Sequence, residues 1–210
     1  MGLTVNEGAS FKQVEPGTYA ARCIKIIDLG TQTVKDFNHP EQTKEKHQVM
    51  ITWELPGEII PDGDFSGQPY GVSRFYTATL GEKSNLRKDL EAWRGRNFTE
   101  EELAGFSLKK ILGKPCMVSV VHSKNGKAQV KAVLALIKGM TVPPAINPLL
   151  SFDIDTDGFT DGFTEKFDSL SDGIKRMIHG SKEYQEISGI PVDKVAEAVG
   201  GEVLDSEIPF

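Results

Sequence analysis

Histidine, cysteine and carboxylate side chains are the usual acids, bases, nucleophiles and metal ligands of proteins, and in this chain they are scattered. The sequence contains none of the Gly-x-Ser-x-Gly, Walker, Gly-x-Gly-x-x-Gly or His-Glu-x-x-His spacings that mark common catalytic and cofactor sites. The candidate ligands and nucleophiles have no partner at a useful spacing: they are His39, His47, His122, His179, Cys23 and Cys116. The sequence therefore predicts a protein that is not an enzyme and that holds no metal ion or other cofactor.

The charge of the chain is divided unevenly along its length. The 210 residues have a net charge of −6, but residues 1–140 carry 19 basic and 16 acidic side chains, a net charge of +3. Residues 141–210 carry 5 basic and 14 acidic side chains, a net charge of −9. A body that leans basic joined to an acidic segment is typical of proteins that bind acidic partners, although a solvated surface with a solubilising tail has the same pattern.

Elements that would position these charges can be read from the hydrophobic pattern. Alternation, β-branched residues and turn signals predict five strands, at Thr18–Leu29, His47–Leu55, Gly71–Leu80, Pro115–His122 and Ala128–Ile137. Ser84 and Thr99 are the caps of two predicted helices between the third and fourth strands. Five strands with helices at that place are the element order of a five-stranded OB-fold barrel, and a small five-stranded sandwich is the alternative.

Residues 141–210 differ from this body. The prolines at 143, 144 and 148 mark a linker, and residues 151–168 are acidic and locally repetitive. We expect a largely disordered acidic tail, because the few apolar residues cannot offset the entropy of ordering the chain. The predicted domains are thus a folded body over 1–140 and a mostly flexible tail over 141–210.

The last six residues, DSEIPF, suit an apolar pocket rimmed by basic side chains. Phe210 supplies buried area, Pro209 stiffens the backbone, and the terminal carboxylate accepts a charge-assisted hydrogen bond. The residues predicted to bind a partner protein are Asp205, Glu207, Ile208, Pro209 and Phe210.

Residues 16–137 resemble the single-stranded DNA-binding proteins encoded by tailed bacteriophages. The string GEKSNLRKDLEAWRGRNFTEEEL at 81–103, followed by ILGKPCMVSVVH, is similar to the segment between strands three and four of those proteins. The tip Asp205–Phe210 resembles the acidic tip of bacterial single-stranded DNA-binding proteins, which usually reads Asp-Asp-Ile-Pro-Phe; Ser206 and Glu207 depart from it. The resemblance implies an OB fold, sequence-independent binding of single strands in phage DNA replication and recombination, and a tip that recruits host or phage replication and repair proteins.

Single-strand binding requires cations for the phosphates and aromatic rings for the bases. The candidate cations lie on the predicted strands, the helices and the Asn-Gly turn: Arg22, Lys25, Lys46, Arg74, Lys83, Arg87, Lys88, Arg94, Arg96, Lys124 and Lys127. Phe75 is the best candidate for stacking, since it shares a strand face with Ser73 and Thr77, and Tyr70 and Phe37 lie on predicted loops. Trp53, Tyr76 and Trp93 have the spacing of core residues.

The acidic run starting at Asp153 begins like an EF-hand calcium loop, but its twelfth position is Thr164 and the glutamate follows at Glu165. A calcium site is therefore the weaker interpretation, and we expect the acids to lie over the basic groove until DNA displaces them. The runner-up for the whole chain is an OB-like protein-binding adaptor without DNA affinity. Preference for DNA over RNA and the choice between monomer and dimer have no signal in the sequence.

We expect a cytoplasmic protein that does not enter membranes. The sequence has no apolar run near the ~18 residues of a membrane span. Its N-terminus lacks the layout of a secretory signal, and two cysteines are too few for a disulfide scaffold.

Overall fold

The computed structural model describes residues 12–36, 39, 41–154 and 161–188, which form a mainly β structure with short helices. Its strands are β1 (Gly17–Lys35), β2 (Thr43–Ile59), β3 (Pro69–Thr77), β4 (Pro115–His122), β5 (Ala128–Leu134) and β6 (Leu150–Phe152). Its α-helices are α1 (Asn85–Arg94), α2 (Glu100–Ala104), α3 (Asp161–Asp168), α4 (Asp172–His179) and α5 (Lys182–Ser188), and a 3-10 helix covers Leu108–Ile111.

The strands form one sheet in the order β3-β2-β1-β4-β5, with all of these neighbours antiparallel. The central strand β1 pairs with β4 over Gly17–Arg22 and with β2 from Arg22 onward. Register shifts occur between Cys23 and Lys25 and again between Asp28 and Gly30. Such irregularities bend a strand, and β1 changes partner at the first of them. Beyond it, β6 runs parallel to β1 beside Lys25–Ile27.

The predicted element order is confirmed, because α1, α2 and the 3-10 helix lie between β3 and β4. The first two strands are longer than predicted. Residues 31–35 and 43–45, expected in a loop, pair as a polar extension of the β1–β2 hairpin. The backbone ladder holds this extension, whose side chains are mostly exposed, so it has no apolar alternation to reveal it.

Closure of the sheet into a barrel was also expected. Among the described residues no strand pair joins β3 to β5. The guanidinium of Arg74 on β3 instead donates a hydrogen bond of 3.0 Å to the backbone oxygen of Lys131 on β5. A side chain, rather than a ladder, thus spans the two edge strands.

Helix α1 closes the space beside these edges. It begins at the predicted cap, Ser84, whose side chain accepts a backbone hydrogen bond from the first turn. Its apolar face, formed by Leu86, Leu90 and Trp93, is buried against the sheet. The capping box predicted at Thr99 begins α2.

The sheet has an apolar cluster on each side. The inner core contains the predicted core aromatics Trp53, Tyr76 and Trp93, and both cysteines are buried within it, as expected. The outer core lies on the opposite side of β1 and β2 and is formed by Ile27, Leu29, Met50, Phe152, Ile154, Phe163, Leu170, Ile174 and Ile178.

Part of the segment predicted to be an acidic tail packs against the sheet in the outer core. Helices α3–α5, here called the C-terminal helical unit (residues 161–188), supply Phe163, Ile174 and Ile178 to this cluster. Residues 161–188 of the expected tail are thus helical and packed against the sheet, and residues 189–210 lie outside the described residues. The unit has enough apolar residues because it shares a core with Ile27 and Leu29 of β1.

Candidate nucleic-acid interface

The face of β1–β3 that points away from the inner core, here called the outer face, is organised in rows of directly opposed residues. Side chains opposed in antiparallel strands lie on the same face of a sheet. From one end to the other the rows are Arg22–Glu54–Gly71, Lys25–Thr52–Ser73, Ile27–Met50–Phe75 and Gly30–Gln48–Thr77. In the middle two rows Ile27, Met50 and Thr52 are buried, so the surface open to a ligand there consists of Lys25, Ser73 and Phe75.

Phe75 lies at the solvent-facing end of an apolar row. Ile27 and Met50 are buried under the C-terminal helical unit, whereas Phe75 on the edge strand is 40% exposed. The neighbouring Thr52 and Ser73 hydroxyls hydrogen-bond each other at 2.8 Å. The result is an exposed ring with a rigid polar neighbour, an arrangement on which a nucleic-acid base can stack.

Two of the predicted cations share this face with Phe75. Lys46 is exposed on β2, two residues before Gln48, and lies opposite Gln32 of β1. Lys25 is half-buried and lies opposite Thr52. Lys25 and Lys46 are thus the candidates on this face for neutralising the phosphates of a strand on Phe75.

The five predicted arginines are already engaged within the protein. Arg22 donates to the backbone oxygens of Gly113 and Val142, both at 2.6 Å, and of Pro143 at 2.8 Å. Arg74 pairs with Asp89 at 2.8 Å in addition to its bond to β5. These two side chains hold elements together.

The other three arginines form ion pairs on and beside α1. Arg87 pairs with Glu91 at 3.0 Å, one helical turn away. Arg94 and Arg96 both pair with Glu102, and Arg94 also lies over the ring of Phe98 with its guanidinium carbon 4.3 Å from the ring centroid. Hydrogen bonds from Arg96, and to a smaller extent from Arg94, hold the pKa of the Glu102 carboxyl well below its usual range.

The remaining predicted lysines lie elsewhere on the surface. Lys83 and Lys88 are exposed at the start and on the outside of α1, whose other side packs into the inner core. Lys124 is exposed and Lys127 half-buried in the β4–β5 turn, which follows the strand end paired with Gly17. The structure therefore does not bring all predicted cations to one face.

The sequence predicts Tyr70 on a loop, where its ring could stack on a base. The structure places it elsewhere. It is buried in the inner core at the start of β3, and its hydroxyl donates to the backbone oxygen of Lys12 at 2.8 Å. Phe37 and the tip residues Asp205, Glu207, Ile208, Pro209 and Phe210 lie outside the described residues. So does most of the calcium-like run, although its first acid, Asp153, pairs with Lys109 at 3.2 Å.

Glu54 is a site residue that the sequence pattern did not reveal. Its side chain is fully buried, and its carboxylate accepts bonds from the backbone N–H groups of Ile146 and Asn147, both at 2.8 Å, and from the Asn147 amide at 2.7 Å. It thereby holds residues 146–147 of the connector between β5 and β6, residues 135–149. The only signal in the sequence is a charged residue at an alternating position of a strong strand.

The C-terminal helical unit borders the outer face next to Gly30 and Gln48. A Cβ added to Gly30, whose φ is +68°, would lie 2.5 Å from the Cβ of Ser181, so only glycine permits this approach. The amide of Gln32 donates to the backbone oxygen of Met177 at 2.8 Å. These contacts place the start of α5 directly over the row of Gly30.

Polar groups complete the attachment of α5 to the hairpin. The Glu183 carboxylate accepts bonds from both the N–H and the hydroxyl of Thr31, each at 2.6 Å. His47 lies between two carboxylates, with Nε2 2.7 Å from Asp28 and Nδ1 3.3 Å from Glu183. The hydrogen bond to Asp28 is the main reason why the pKa of His47 is raised to about 9. The negative charges of Asp28 and Glu183 also raise this pKa, whereas burial of the imidazole lowers it. At neutral pH a charged imidazole therefore joins β1, β2 and α5.

No helix within the described ranges is long and apolar enough to cross a membrane. In the same part of the chain, no group of three or more His, Cys, Asp or Glu side chains is arranged to hold a metal ion.

No protein-family model, no curated protein and no solved structure matches this chain.

Proposed function

We propose that this chain is a sequence-independent single-stranded DNA-binding protein with an OB-like body, acting in phage DNA replication and recombination. The observation that carries the proposal is the outer face, where the exposed ring of Phe75 ends an apolar row and shares its face with Lys25, Lys46 and Ser73. Single-strand binding that is indifferent to sequence needs only this combination, because every base has a π-face and every phosphate a charge.

The strand arrangement supports the OB-like part of the proposal. The order β3-β2-β1-β4-β5 with helices between β3 and β4 is compatible with a partly open five-stranded barrel. The bond from Arg74 to Lys131 links β3 to β5, the two strands that closure of such a barrel would join, and this supports the proposal. In this proposal Arg74 is a closing residue and not a phosphate contact.

The tip is proposed to act separately from the strand-binding face. Ile208, Pro209 and Phe210, with Asp205 and Glu207 before them, have the chemistry of a ligand for an apolar pocket with a basic rim, and we assign them to recruitment of replication and repair proteins. A Phe210→Ala substitution should accordingly leave oligonucleotide affinity unchanged.

A second candidate function, a protein-binding adaptor without DNA affinity, is favoured by one observation. Between Leu134 and Leu149 five large apolar side chains are exposed, and Ile146 reaches 67%. Arg22 holds the backbone at Val142 and Pro143, and Glu54 holds it at Ile146 and Asn147. A rigid, exposed apolar surface is typical of a protein–protein contact.

The experiment that separates the two functions measures fluorescence anisotropy of a labelled oligo-dT of about 30 nucleotides, longer than one OB-sized site. The full chain is titrated at several salt concentrations. We expect a dissociation constant in the micromolar range or below at low salt, with log affinity falling by about 0.7 per phosphate contact for each tenfold increase in salt. Absence of binding at low salt would overturn the DNA-binding proposal and leave the adaptor.

A further inference from the structure

Four aromatic rings of the C-terminal helical unit form a column that starts in the outer core. Phe163 packs against Phe152 of β6 with ring centroids 5.1 Å apart. Phe167 stacks on Phe163 at 5.4 Å with an angle of 10° between the planes, and His179 stacks on Phe167 at 5.1 Å and 27°. Tyr184 is 6.1 Å from Phe167 and 4.5 Å from His179.

This ring column leads from the interior to the surface. Phe163 is buried, whereas Phe167, His179 and Tyr184 are each half-buried. The pKa of His179 lies below its ordinary value of 6.5, mainly because the imidazole is partly buried and also because Lys175 is positively charged. The imidazole is therefore neutral at pH 7.5. Half-buried rings held by ring contacts are rigid platforms for another flat group.

Two cations lie on α4, the helix that carries His179 of the ring column. Lys175 on α4 places its Nζ 5.9 Å from the ring centroid of Phe167, and the adjacent Arg176 is exposed. Residues 161–188 carry four basic and six acidic side chains, and Lys175 and Arg176 are the two basic ones that are adjacent in the sequence. Rings beside cations are the combination that single strands use for bases and phosphates.

The ring column and Phe75 lie on the same side of the sheet. Phe163 shares the outer core with Met50, and Met50 is the register partner of Phe75. The ring column, with Lys175 and Arg176 near it on α4, thus lies across the buried row Ile27–Met50 from Phe75.

We propose that the ring column, with Lys175 and Arg176, is a second contact site for the same single strand that lies on Phe75. Bases stack at the half-buried Phe167, His179 and Tyr184 end of the column, and the two cations neutralise neighbouring phosphates. This inference rests on the proposed function. It extends the strand-binding surface from the sheet onto helices that sequence patterns assign to an acidic tail.

The test compares two charge-neutralised double variants of the full chain in the oligo-dT titration. Lys175→Gln with Arg176→Gln removes the cations of the column, and Lys114→Gln with Lys138→Gln removes two exposed cations outside both sites. We expect the first pair to weaken binding about 5-fold to 30-fold at low salt and to reduce the slope of log affinity against log salt by about 1.4, which is two single-strand contacts. We expect the control pair to change both quantities much less.

A second readout does not depend on the affinity of a variant. The wild-type chain is photo-cross-linked to oligo-dT carrying 5-bromodeoxyuridine, and the adducts are mapped by mass spectrometry. Adducts at Phe167, His179 or Tyr184 in addition to β3 support the second contact site. Adducts confined to β3, together with equal affinities of the two double variants, overturn it while leaving the proposed function intact. A wild-type chain that binds no oligonucleotide overturns both.

Discussion

Arg22 and Glu54 are directly opposed in β1 and β2, yet each binds the backbone of the connector. Arg22 donates to carbonyl oxygens at Val142 and Pro143, and Glu54 accepts from N–H groups at Ile146 and Asn147. The two side chains satisfy backbone groups of opposite polarity a few residues apart. A connector with no regular structure can therefore lie on the sheet without leaving buried backbone groups unpaired.

Glu54→Gln should lower the free energy of unfolding by about 1–3 kcal/mol. The amide that replaces one carboxylate oxygen turns a donor toward the connector N–H groups, so at least one buried donor loses its acceptor. Urea denaturation followed by circular dichroism measures the change. Glu82→Gln, at an exposed position, is the matched control and should change stability by less than about 0.5 kcal/mol. Equal stabilities of the two variants would show that the connector is not held by Glu54.

Ile178→Ala should destabilise the protein by about 2–5 kcal/mol, because truncation of a fully buried side chain removes apolar contacts and leaves a cavity. Ile178 on α4 is 0% exposed in the outer core, whereas Ile187 on α5 is 45% exposed. Ile187→Ala is therefore the control, with an expected change below about 0.5 kcal/mol. Denaturant unfolding of both variants decides whether the helical unit belongs to the cooperative fold. A flexible tail would give the same small value for each.

The outer core had a signal in the sequence, although composition obscured it. Around Ile24, Ile26, Ile27 and Leu29 the first strand is apolar on both faces, and a strand of this kind is covered on both sides. Its partner layer is the helical unit, whose acidic residues lower the average hydropathy of the segment. Strong local patterns, such as alternation in β2 and the cap at Ser84, were sufficient to predict the inner half of the fold.

The candidate site was less predictable, since residue type does not say which cation is already paired. The Arg87–Glu91 pair could have been read from its spacing of four on a helix. The bonds of Arg22 and Arg74 join residues distant in the sequence and depend on the tertiary fold. Phe75 was predicted as an exposed ring because its strand neighbours Ser73 and Thr77 are polar, and exposure is what the structure shows.

The attachment of α5 should weaken as the pH rises through about 9. Hydrogen bonding to Asp28 raises the pKa of His47 to about 9 in the folded protein, whereas its ordinary value is 6.5. The folded state therefore binds this proton more tightly than the unfolded chain. The stability it contributes is complete below pH 6.5 and lost as the pH passes about 9. His47→Gln should remove this part of the pH dependence from the free energy of unfolding.

Proton NMR titration of the histidine rings checks the assignment behind that expectation. His47 should titrate near pH 9 and His179 below 6.5, since burial and Lys175 lower the pKa of the latter. A titration of His47 close to 6.5 would contradict the bridge between Asp28 and Glu183.

Lys46→Gln should reduce both the oligonucleotide affinity and its salt dependence. Lys46 is an exposed cation on the outer face, so its loss should lower the slope of log affinity against log salt by about 0.7. Lys138→Gln, an equally exposed change beyond β5, is the control and should leave the slope unchanged. The anisotropy titration at several salt concentrations provides both slopes, and identical slopes would exclude Lys46 from the interface.

Phe75→Ala should weaken binding of oligo-dT about 5-fold to 150-fold, which corresponds to the loss of one stacked base. The loss should persist at high salt, because stacking involves no release of counterions and the salt slope should stay that of the wild type. Phe65→Ala is the matched control, since Phe65 is 48% exposed against 40% for Phe75 but lies in the connection between β2 and β3. Trp53 and Trp93 are both buried, so the suitable readout is the anisotropy of a labelled oligonucleotide and not intrinsic tryptophan fluorescence.

If both phenylalanine variants bound as tightly as the wild type, strand binding would not use the outer face. If both weakened equally, the effect would reflect exposed apolar area in general and not the row that ends at Phe75.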